Sequence, residues 1–383
     1  MRIGQFVIGF PSKRERIEVY GSERITYELC RELSNMNQIV DVFVPFKKTF
    51  TEILDGITIH FYKSLFSFQG YNFSFELFKD MMKHELDIVH AHNDSPAAML
   101  AAARYSKKKK VPLVVTWHGD WLGANFLRKI SLIFLKFFVN KVLSDAGAII
   151  VPSKAYVEQS IYLKKFERKI VEIPHGIRIN AGQRNREKAK KELGLDGKVI
   201  LYTGFLSEAK GVDLIIKSIP DVVERVKDAR FVFVGGGNIA YWLDLAKSLG
   251  VENCVRFTGY VDEELKWRYY EAADIFVFAS RSRHEVFAVV TLEAASMGLP
   301  MVVSPLKIFK DRIIDGYNGV YFNGTSSDLA QKIVYLLENE RESEKIGKNA
   351  RRDVELKYTS RIMAERTYRL YEELRGHDKR SES

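Results

Sequence analysis

Short apolar segments alternate with amphipathic segments along most of the chain. The apolar segments are rich in Val, Ile and Phe, which is typical of buried strands, and the amphipathic ones have the spacing of helices packed on a sheet. This alternation predicts an α/β, doubly wound fold with parallel sheets covered by helices. In the first half, the predicted strands are Ile3–Ile8, Val40–Val44, Ile57–His60, Ile88–His90, Leu113–Thr116, Ala148–Val151 and Ile170–Ile173.

The pattern changes near the middle of the chain. Residues Pro174–Glu192 are polar and basic, and we interpret them as a linker followed by the first helix of a second domain. We therefore expect two Rossmann-like domains, residues 1–175 and 176–355, that face a central cleft, and a helical tail, residues 356–383, that crosses back to the first domain. In the second half, the predicted strands are Val199–Tyr202, Phe231–Val234, Val255–Phe257, Ile275–Phe278, Met301–Val303 and Gly319–Phe322.

The composition is that of an ordinary globular protein. The 383 residues are 46% hydrophobic and 28% charged, which excludes disorder and fibrous repeats. The longest apolar stretch, Ile130–Val139, contains Lys136 and is shorter than the roughly 20 residues of a membrane span. The 2 cysteines indicate no disulfide framework, and Met1–Phe10 lacks the apolar block of a signal peptide. We therefore expect a cytoplasmic protein.

The net charge of +10 agrees with several kinds of partner. Most of the excess lies in residues 1–175, and it would attract nucleic acid, anionic membranes or phosphorylated substrates. Aromatic residues do not interleave with Lys and Arg in any nucleic-acid motif, so we expect no nucleic-acid partner. The segment 125–143 predicts a basic amphipathic helix, which either packs on the sheet or makes a peripheral contact with the inner face of a membrane.

The most informative segment lies between the predicted strands Ile275–Phe278 and Met301–Val303. Glu285 is placed in the loop after the first strand, and Glu293 on the first turns of the following helix. Ligands of doubly wound sheets bind beyond the carboxyl ends of the strands, so this position favours a binding role. The spacing suits two carboxylates that hold two parts of one extended ligand, with an anion at the helix N-terminus between them. Two unrelated surface glutamates are the alternative.

Two turns after predicted strands have features of phosphate sites. Gly235, Gly237 and Ala240 have the Gly-x-Gly-x-x-Ala spacing of a dinucleotide turn, but the next strand supplies no carboxylate for a ribose, which disfavours a nicotinamide enzyme. Lys210 lies just before a helix that begins at Val212, where an ammonium group suits a diphosphate. A tight turn without a ligand explains the first feature at least as well, and a surface lysine, taken alone, explains the second better.

Further motifs follow one another along nearly the whole chain. They are Asp87–His92, Val115–Gly119, Ser144–Ser153, Ile173–Ile177, Ala273–Phe278 and Asp311–Gly319. Together with the two glutamates, this ordered set resembles the retaining, nucleotide-sugar-dependent glycosyltransferases of the family 4 type (glycosyl transferases group 1), which have the two-domain GT-B fold. No single motif decides the resemblance, but the ordered set is highly specific.

The resemblance implies that the C-terminal domain binds a UDP-, GDP- or ADP-sugar, and the N-terminal domain a sugar, glycan or lipid-linked acceptor. It implies no metal ion and no cofactor besides this co-substrate, and the sequence has no Asp-x-Asp motif of the metal-dependent class. His90 and His92 alternate at one strand end without further ligands, so we predict no metal site there. The implied catalytic residues are Glu285, His118 and Lys210, and the implied donor-binding residues are Gly21, Gly204, Lys210, Gly235, Gly237, Tyr260, Val261, Glu285, Phe287, Ala288, Val289 and Glu293.

By the same resemblance, each of the main residues has an expected role. Glu293 is expected to hold the ribose hydroxyls and Glu285 to face the donor sugar. Lys210 is expected to meet the diphosphate, His118 the transferred sugar, and Gly21 the donor phosphate. The turns at Gly235–Gly237 and Tyr260–Val261 are expected to border the base.

Departures from the family pattern support a second hypothesis. Ser22 stands where a second glycine is usual, Phe205 stands where an arginine is usual, and Ala288 replaces a glycine beside the phosphate. The segment Lys307–Asp311 replaces a Gly-Gly-x-Pro-Glu turn. A lost diphosphate cation removes about 1.5–3 kcal/mol of charge-assisted hydrogen bonding, which a lysine of that segment could replace. These changes keep open a catalytically weak or inactive GT-B homologue that acts as a nucleotide-, glycan- or partner-binding scaffold.

Overall fold

The computed structural model describes residues 1–15, 21–68, 71–121, 126–179 and 184–381. The chain divides into two compact units: unit 1 consists of Met1–Arg178 and Thr359–Ser383, and unit 2 of Ile179–Tyr358. The domain ends predicted from the sequence, at 175 and 355, each lie three residues before these boundaries. Residue 125 of the predicted amphipathic helix, residues 180–183 of the predicted linker and residues 382–383 of the predicted tail lie outside the described residues.

Unit 1 is built on a parallel sheet. Its strands are β1 (Arg2–Phe6), β2 (Ile39–Phe46), β3 (Phe50–Leu54), β4 (Ile57–Lys63), β7 (Ile88–His92), β8 (Leu113–Thr116), β9 (Ala148–Val151) and β10 (Ile170–Glu172), and a separate hairpin consists of β5 (Phe66–Phe68) and β6 (Tyr71–Phe73). In the described part of the chain, the sheet has the order β10-β9-β8-β7-β1-β2-β4-β3. Neighbours are parallel except β3 and β4, which are antiparallel.

Helices cover this sheet, and the C-terminal one belongs to unit 1. The helices are α1 (Gly21–Asn35), α2 (Phe75–Asp80), α3 (Pro96–Lys109), α4 (Phe126–Asp145) and α12 (Ser360–Ser381). Helix α12 packs against α1, and the Ser360 amide donates to the Ile177 carbonyl at 2.9 Å. Gly176 permits the close approach of this return segment, because a Cβ there would lie 2.2 Å from the carbonyl oxygen of Thr359. The predicted return of the tail to the first domain is confirmed.

Unit 2 has a second, smaller parallel sheet. Its strands are β11 (Lys198–Thr203), β12 (Ala229–Val234), β13 (Val255–Gly259), β14 (Ile275–Phe278), β15 (Met301–Val303) and β16 (Val320–Tyr321), and its helices are α5 (Arg186–Leu193), α6 (Val212–Arg225), α7 (Ile239–Ser248), α8 (Glu263–Ala272), α9 (Val289–Ser296), α10 (Ser326–Glu338) and α11 (Glu340–Lys357). The described strands have the order β13-β12-β11-β14-β15-β16. Apolar residues of β11, β12, β14, α6 and α10 form its core. Both units therefore confirm the predicted doubly wound α/β class.

The first strand of each sheet lies in its interior, and the chain adds later strands first on one side of it and then on the other. We call the place between the two sides the reversal point. In unit 1 the reversal lies between β1 and β7, and in unit 2 between β11 and β14. Crevices for ligands form at such points, beyond the carboxyl ends of the strands. Segments near these ends are the turns after β11 and β14 in unit 2, and the ends of β7 and β8 in unit 1.

The predicted strands are all present, with ends shifted by up to three residues. Strand β3 and the hairpin β5–β6 were not predicted. The predicted helix over 125–143 corresponds to α4. None of the helices in the described part of the chain combines the length and apolar character that a membrane crossing needs.

Candidate active site

The glycine turns of unit 2 lie against each other at the end of its sheet. Gly204 follows β11 and has φ +143°, and Gly235 follows β12 with φ +145°. A Cβ on Gly235 would lie 1.9 Å from the carbonyl oxygen of Gly204, and a Cβ on Gly237 would lie 2.6 Å from the Cβ of Leu206. Close packing of the two turns therefore requires these glycines, whether or not a ligand also approaches the backbone.

Lys210 and Glu285 form an ion pair at the reversal point. Lys210 ends a short 3-10 turn after β11, and its Nζ donates to Glu285 Oε1. The Ser280 hydroxyl donates to the same carboxylate oxygen at 2.9 Å. Glu285 is largely buried, whereas Lys210 is half-buried. The structure therefore brings together two of the residues predicted as catalytic, 75 positions apart in the sequence, with one cation and one anion at the same point.

Glu293 lies on α9 and is only 4% exposed. Its Oε1 accepts from Lys266 Nζ at 2.8 Å, and its Oε2 accepts from the Tyr270 hydroxyl at 2.9 Å. The Tyr270 hydroxyl also lies 2.6 Å from Thr203 Oγ1 at the end of β11. A buried carboxylate needs such partners, and here they fix its position beside the carboxyl end of the sheet.

The first turn of α9 has an unusual backbone. Ala288 precedes the helix with φ +54°, in the left-handed region, where a Cβ costs roughly 1–2 kcal/mol. Thr291 stabilises this turn, because its amide and its hydroxyl both donate to the Ala288 carbonyl, at 3.0 and 2.8 Å. The helix N-terminus at Val289 is the position where amides favour an anion.

The other predicted residues of unit 2 are more exposed. Tyr260 is exposed and Val261 is half-buried, directly after β13. Phe205, at the position expected to hold an arginine, is 63% exposed. In the Lys307–Asp311 segment, Lys307 and Lys310 are both exposed.

A cavity of about 470 Å³ lies at the amino end of the unit 2 sheet, at the other end of the strands from the reversal point. Its lining includes Arg186, Lys190 and Asp274. Asp274 accepts from Arg186 Nη1 at 2.7 Å, from Lys190 Nζ at 2.8 Å and from the Val199 amide at 2.7 Å. These groups satisfy one another, so volume alone does not favour this cavity over the reversal point.

Unit 1 places a row of stacked imidazoles at the ends of its central strands. The ring centroids of His90 and His92 are 4.5 Å apart, those of His92 and His118 5.2 Å, and those of His118 and His175 5.5 Å. His90 lies in the middle of β7, His92 is its last residue, and His118 lies two residues after β8. The parallel pairing of these two strands explains why residues so far apart in sequence meet here.

Hydrogen bonds through Gln5 connect His92 and His118 to the C-terminal helix. Gln5 Nε2 donates to the Tyr371 hydroxyl at 3.2 Å, which leaves Gln5 Oε1 to accept from His92 Nε2 at 2.9 Å. With its proton on Nε2, a neutral His92 uses Nδ1 to accept from His118 Nε2, also at 2.9 Å. His118 Nδ1 is then a buried acceptor, and it has no partner among the described residues.

Burial keeps His90, His92 and His118 uncharged at neutral pH. It lowers the pKa of His90 to about 3 and that of His118 to about 4, and it lowers the pKa of His92 well below its ordinary value. A neutral ring donates at one nitrogen and accepts at the other. The row can therefore recognise hydroxyl groups rather than supply charge.

Gly21 begins α1, with φ +33°, and a Cβ there would meet no described atom within 4 Å. The nearby loop after β7 carries Asp94. Burial, and then the charge of Glu23, raise the pKa of the Asp94 carboxyl to about 7. The sequence analysis did not single out Asp94, because burial of a carboxyl in a loop leaves no pattern in the sequence.

One further cluster has the chemistry of metal ligands. Ligand atoms of Asp41, His60 and His84 lie within 4.8 Å of one another. Asp41 already accepts from Arg2 Nε at 2.7 Å and pairs with His60 Nε2 at 3.0 Å. Arg2 therefore supplies the positive charge that this carboxylate needs.

Two protein-family models match the chain, one over most of unit 1 and one over most of unit 2. "Glycosyltransferase Family 4" matches residues 19–181, and "Glycosyl transferases group 1" matches residues 183–353. The chain is a GT-B glycosyltransferase of the family 4 type. The predicted family and fold are confirmed, and the enzyme class is glycosyl transfer.

The chain is also similar to curated proteins, one of which has a glycosyltransferase name. The chain is 27% identical to O-antigen chain mannosyltransferase C of Escherichia coli, over 92% of this chain and 94% of that protein. It is 32% identical to spore coat protein SA of Bacillus subtilis over 51% of this chain, and the match spans only about half (54%) of that relative. A solved structure of Anabaena HepE in complex with UDP is similar in fold, with a TM-score of 0.74, 18% identity, and coverage of 97% of this chain and 100% of that one.

The candidate site contains residues to which the sequence analysis gave no role in it. Tyr270 and Lys266 hold Glu293, and Gln5, His92 and Tyr371 orient His118. The polar residues on strand β7 were a partial signal, because histidines are unusual in a buried strand. The residues on helices α8 and α12 gave no such signal, since their spacing is that of ordinary amphipathic helices.

Proposed function

We propose that this chain is a retaining hexosyltransferase that needs no metal ion. Its donor is a UDP-, GDP- or ADP-sugar bound by unit 2, and its acceptor is a sugar, glycan or lipid-linked molecule bound by unit 1. The observation that carries the proposal is the Lys210–Glu285 pair at the reversal point of unit 2. The name of the E. coli mannosyltransferase and the UDP in the HepE structure support a sugar nucleotide as donor.

The leaving diphosphate gains negative charge as the bond to the sugar breaks. Lys210 and the N–H groups of Phe287–Val289 would stabilise this charge without a metal ion. The electron pair of the breaking C–O bond goes to the diphosphate, and the acceptor oxygen forms the new bond on the same face of the sugar. The proton of the acceptor hydroxyl passes to an oxygen of the leaving diphosphate. Because the acceptor itself attacks the sugar, no nucleophile of the protein is needed.

The buried carboxylates have separate roles in this proposal. Glu293, held by Tyr270 and Lys266, would accept from the ribose hydroxyls, and Glu285 would face the donor sugar. Gly204, Gly235, Gly237, Tyr260 and Val261 would border the base. In unit 1, Gly21 would approach a phosphate. The Nδ1 of His118, which has no partner among the described residues, would accept from a sugar hydroxyl.

Thermal stability in the presence of nucleotides tests the donor. A ligand that binds only the folded state, at one hundred times its Kd, adds about 2.7 kcal/mol of stability. We expect one of UDP, GDP and ADP, with its sugars, to raise the Tm selectively. No shift at millimolar concentration with well-folded protein would contradict the proposal.

Transfer assays with the donor so identified test the chemistry. Transfer is expected to continue in excess EDTA, and the product is expected to keep the anomeric configuration of the donor, as read by NMR. Glu285→Gln is expected to bind the donor but to lose turnover, whereas the exposed control Glu264→Gln keeps both. Full turnover in Glu285→Gln would show that its role is wrongly assigned.

A scaffold without transfer activity is the second candidate. It is favoured by the exposed Phe205 and by the strained Ala288. Phe205→Arg distinguishes the two candidates. A gain of tenfold or more in donor affinity would indicate a degraded phosphate site, and an unchanged affinity would indicate that another cation already serves.

Peripheral contact with a membrane stays a prediction, as does the cytoplasmic location. Two side chains of α4 support the contact, because Phe137 is 72% exposed and Phe138 is 48% exposed. The side chains of residues 126–135 lie outside the described ones. Co-sedimentation with anionic vesicles tests the contact, and Phe137→Ser is expected to weaken it.

A further inference from the structure

Arg312 is a buried cation in unit 2 with incomplete hydrogen bonding. It is 9% exposed, and its Nη2 donates to Thr291 Oγ1 at 3.1 Å. Its Nε and Nη1 have no partner among the described residues. Burial lowers the pKa of the guanidinium to about 10, so the group remains charged at neutral pH. A buried cation without a full set of partners is costly.

The surroundings of Arg312 leave no room for a substrate. The guanidinium lies between two rings, with its Cζ 4.3 Å from the centroid of Phe287 and 4.9 Å from that of Phe309. The adjoining cavity, lined in part by Asn318 and Tyr358, measures about 20 Å³. That volume holds a water molecule but not a phosphate. Any effect of Arg312 on a ligand must therefore act without direct contact, through its neighbours or through the field of its charge.

Those neighbours form the first turn of α9. Phe287 directly precedes the left-handed Ala288, and Thr291 closes the turn by donating to the Ala288 carbonyl at 2.8 Å. Arg312 contacts residues on both sides of the helix start. Its positive charge and the positive end of the helix dipole are of like sign, so each disfavours the other until an anion is present.

We propose that Arg312 is a positioning residue for the diphosphate: it fixes the first turn of α9 and adds a buried positive charge to the field at that helix N-terminus. This inference rests on the proposed function of unit 2 in binding the nucleotide sugar. It assigns to Arg312 part of the work that an arginine at Phe205 would do, from a position behind the turn rather than in contact with the phosphates.

The test compares Arg312→Met with the exposed control Arg352→Met, which removes the same charge from α11. Dissociation constants are measured by calorimetry for uridine and UDP, guanosine and GDP, and adenosine and ADP. In Arg312→Met, the Kd of the preferred diphosphate is expected to rise about tenfold and that of its nucleoside to stay within twofold. The Tm of the free protein is expected to stay equal or to rise, because an apolar side chain replaces a costly buried charge.

Arg312→Lys keeps the charge and loses the planar contact with the rings. Its affinity for the diphosphate is expected to lie between those of the wild type and Arg312→Met, and it serves as the test if Arg312→Met does not fold. The inference is overturned if a folded Arg312→Met binds the diphosphate as well as the wild type, or if its affinities for nucleoside and diphosphate fall equally. Where Arg312→Met does not fold, an Arg312→Lys that binds the diphosphate as well as the wild type overturns the inference. A wild type that binds none of the three diphosphates overturns the proposed function itself.

Discussion

The two units have similar sheet topologies but different chemical groups at the corresponding position. Each has a parallel sheet whose order reverses once, and each places polar side chains beyond the carboxyl ends of the strands beside that point. Unit 1 fills the position with stacked imidazoles, which burial keeps neutral. Unit 2 fills it with the charged pair Lys210–Glu285 and with Glu293 bound to Lys266.

This difference indicates what each unit is suited to recognise. Neutral rings in a directed chain of hydrogen bonds discriminate hydroxyl groups by donor and acceptor pattern. Lysines and helix N-termini stabilise phosphate charge. A doubly wound sheet thus provides the position for a site, and the residues after its strands decide which part of a substrate the site can hold.

The largest expected effect is in the charged site of unit 2. Lys210→Met removes the proposed donor to the leaving diphosphate, so kcat/KM is expected to fall by about 10²–10³. The exposed Lys247→Met is the control, because its lysine lies on α7 and pairs only with Asp244 among the described residues, at 3.5 Å. Steady-state kinetics check this, and a loss below threefold would contradict a catalytic role for Lys210.

The neutral site of unit 1 is expected to respond in stability. His92→Phe keeps a ring in the stack but leaves the oxygen of Gln5 and the Nε2 of His118 without partners. Each of these two buried polar atoms is expected to lower the free energy of unfolding by about 1–3 kcal/mol, as measured in urea. Lys217→Met in unit 2 removes an exposed lysine whose Nζ lies 3.7 Å from Asp213. Asp213 keeps its bond from Arg281, so this change is expected to cost no more than about 1 kcal/mol. Equal costs for the two variants would remove the distinction between the units.

The pH dependence should also follow from unit 1. Because the folded pKa of His90 is lowered to about 3, the unfolded chain takes up its proton first as the pH falls below about 6.5. The stability that the neutral ring contributes is therefore complete above pH 6.5 and is lost towards pH 3. Unfolding free energies at pH 7 and pH 5 are expected to differ less in His90→Gln than in the wild type. An identical difference in both proteins would contradict the assigned shift.

The smallest expected effect is at the start of α9. Ala288→Gly relieves the left-handed strain and is expected to stabilise unit 2 by about 1 kcal/mol, which raises the Tm by a few degrees. Calorimetric scans of both proteins check this. A lower Tm would mean that the alanine methyl group makes a contact that outweighs the strain.

The fold could be predicted in most parts because buried parallel strands leave continuous apolar segments in the sequence. Strand β3 was missed, although Asp55-Gly56 between β3 and β4 is a strong hairpin signal and both residues have positive φ. Its own residues, Phe50–Leu54, include two polar side chains and therefore lack the continuous apolar pattern of the central strands.

The candidate site was predictable only where a residue follows a strand. Glu285 and Lys210 could be placed at strand ends from the sequence, but their pairing depends on the reversal between β11 and β14. Tyr371 reaches the unit 1 site from a helix 281 positions after His90. Arg312 resembles a surface residue in a basic loop, and only packing between Phe287 and Phe309 shows that it is buried. Long-range packing of this kind leaves no local pattern.

Hydrogen exchange with and without a nucleoside diphosphate tests the central claim most directly. The account predicts that the diphosphate that stabilises the protein slows exchange most at Gly235–Gly237 and at the first turn of α9, with smaller changes in β7 and β8. No protection at these two segments of unit 2, or protection confined to unit 1, would contradict the assignment of the nucleotide sugar to unit 2.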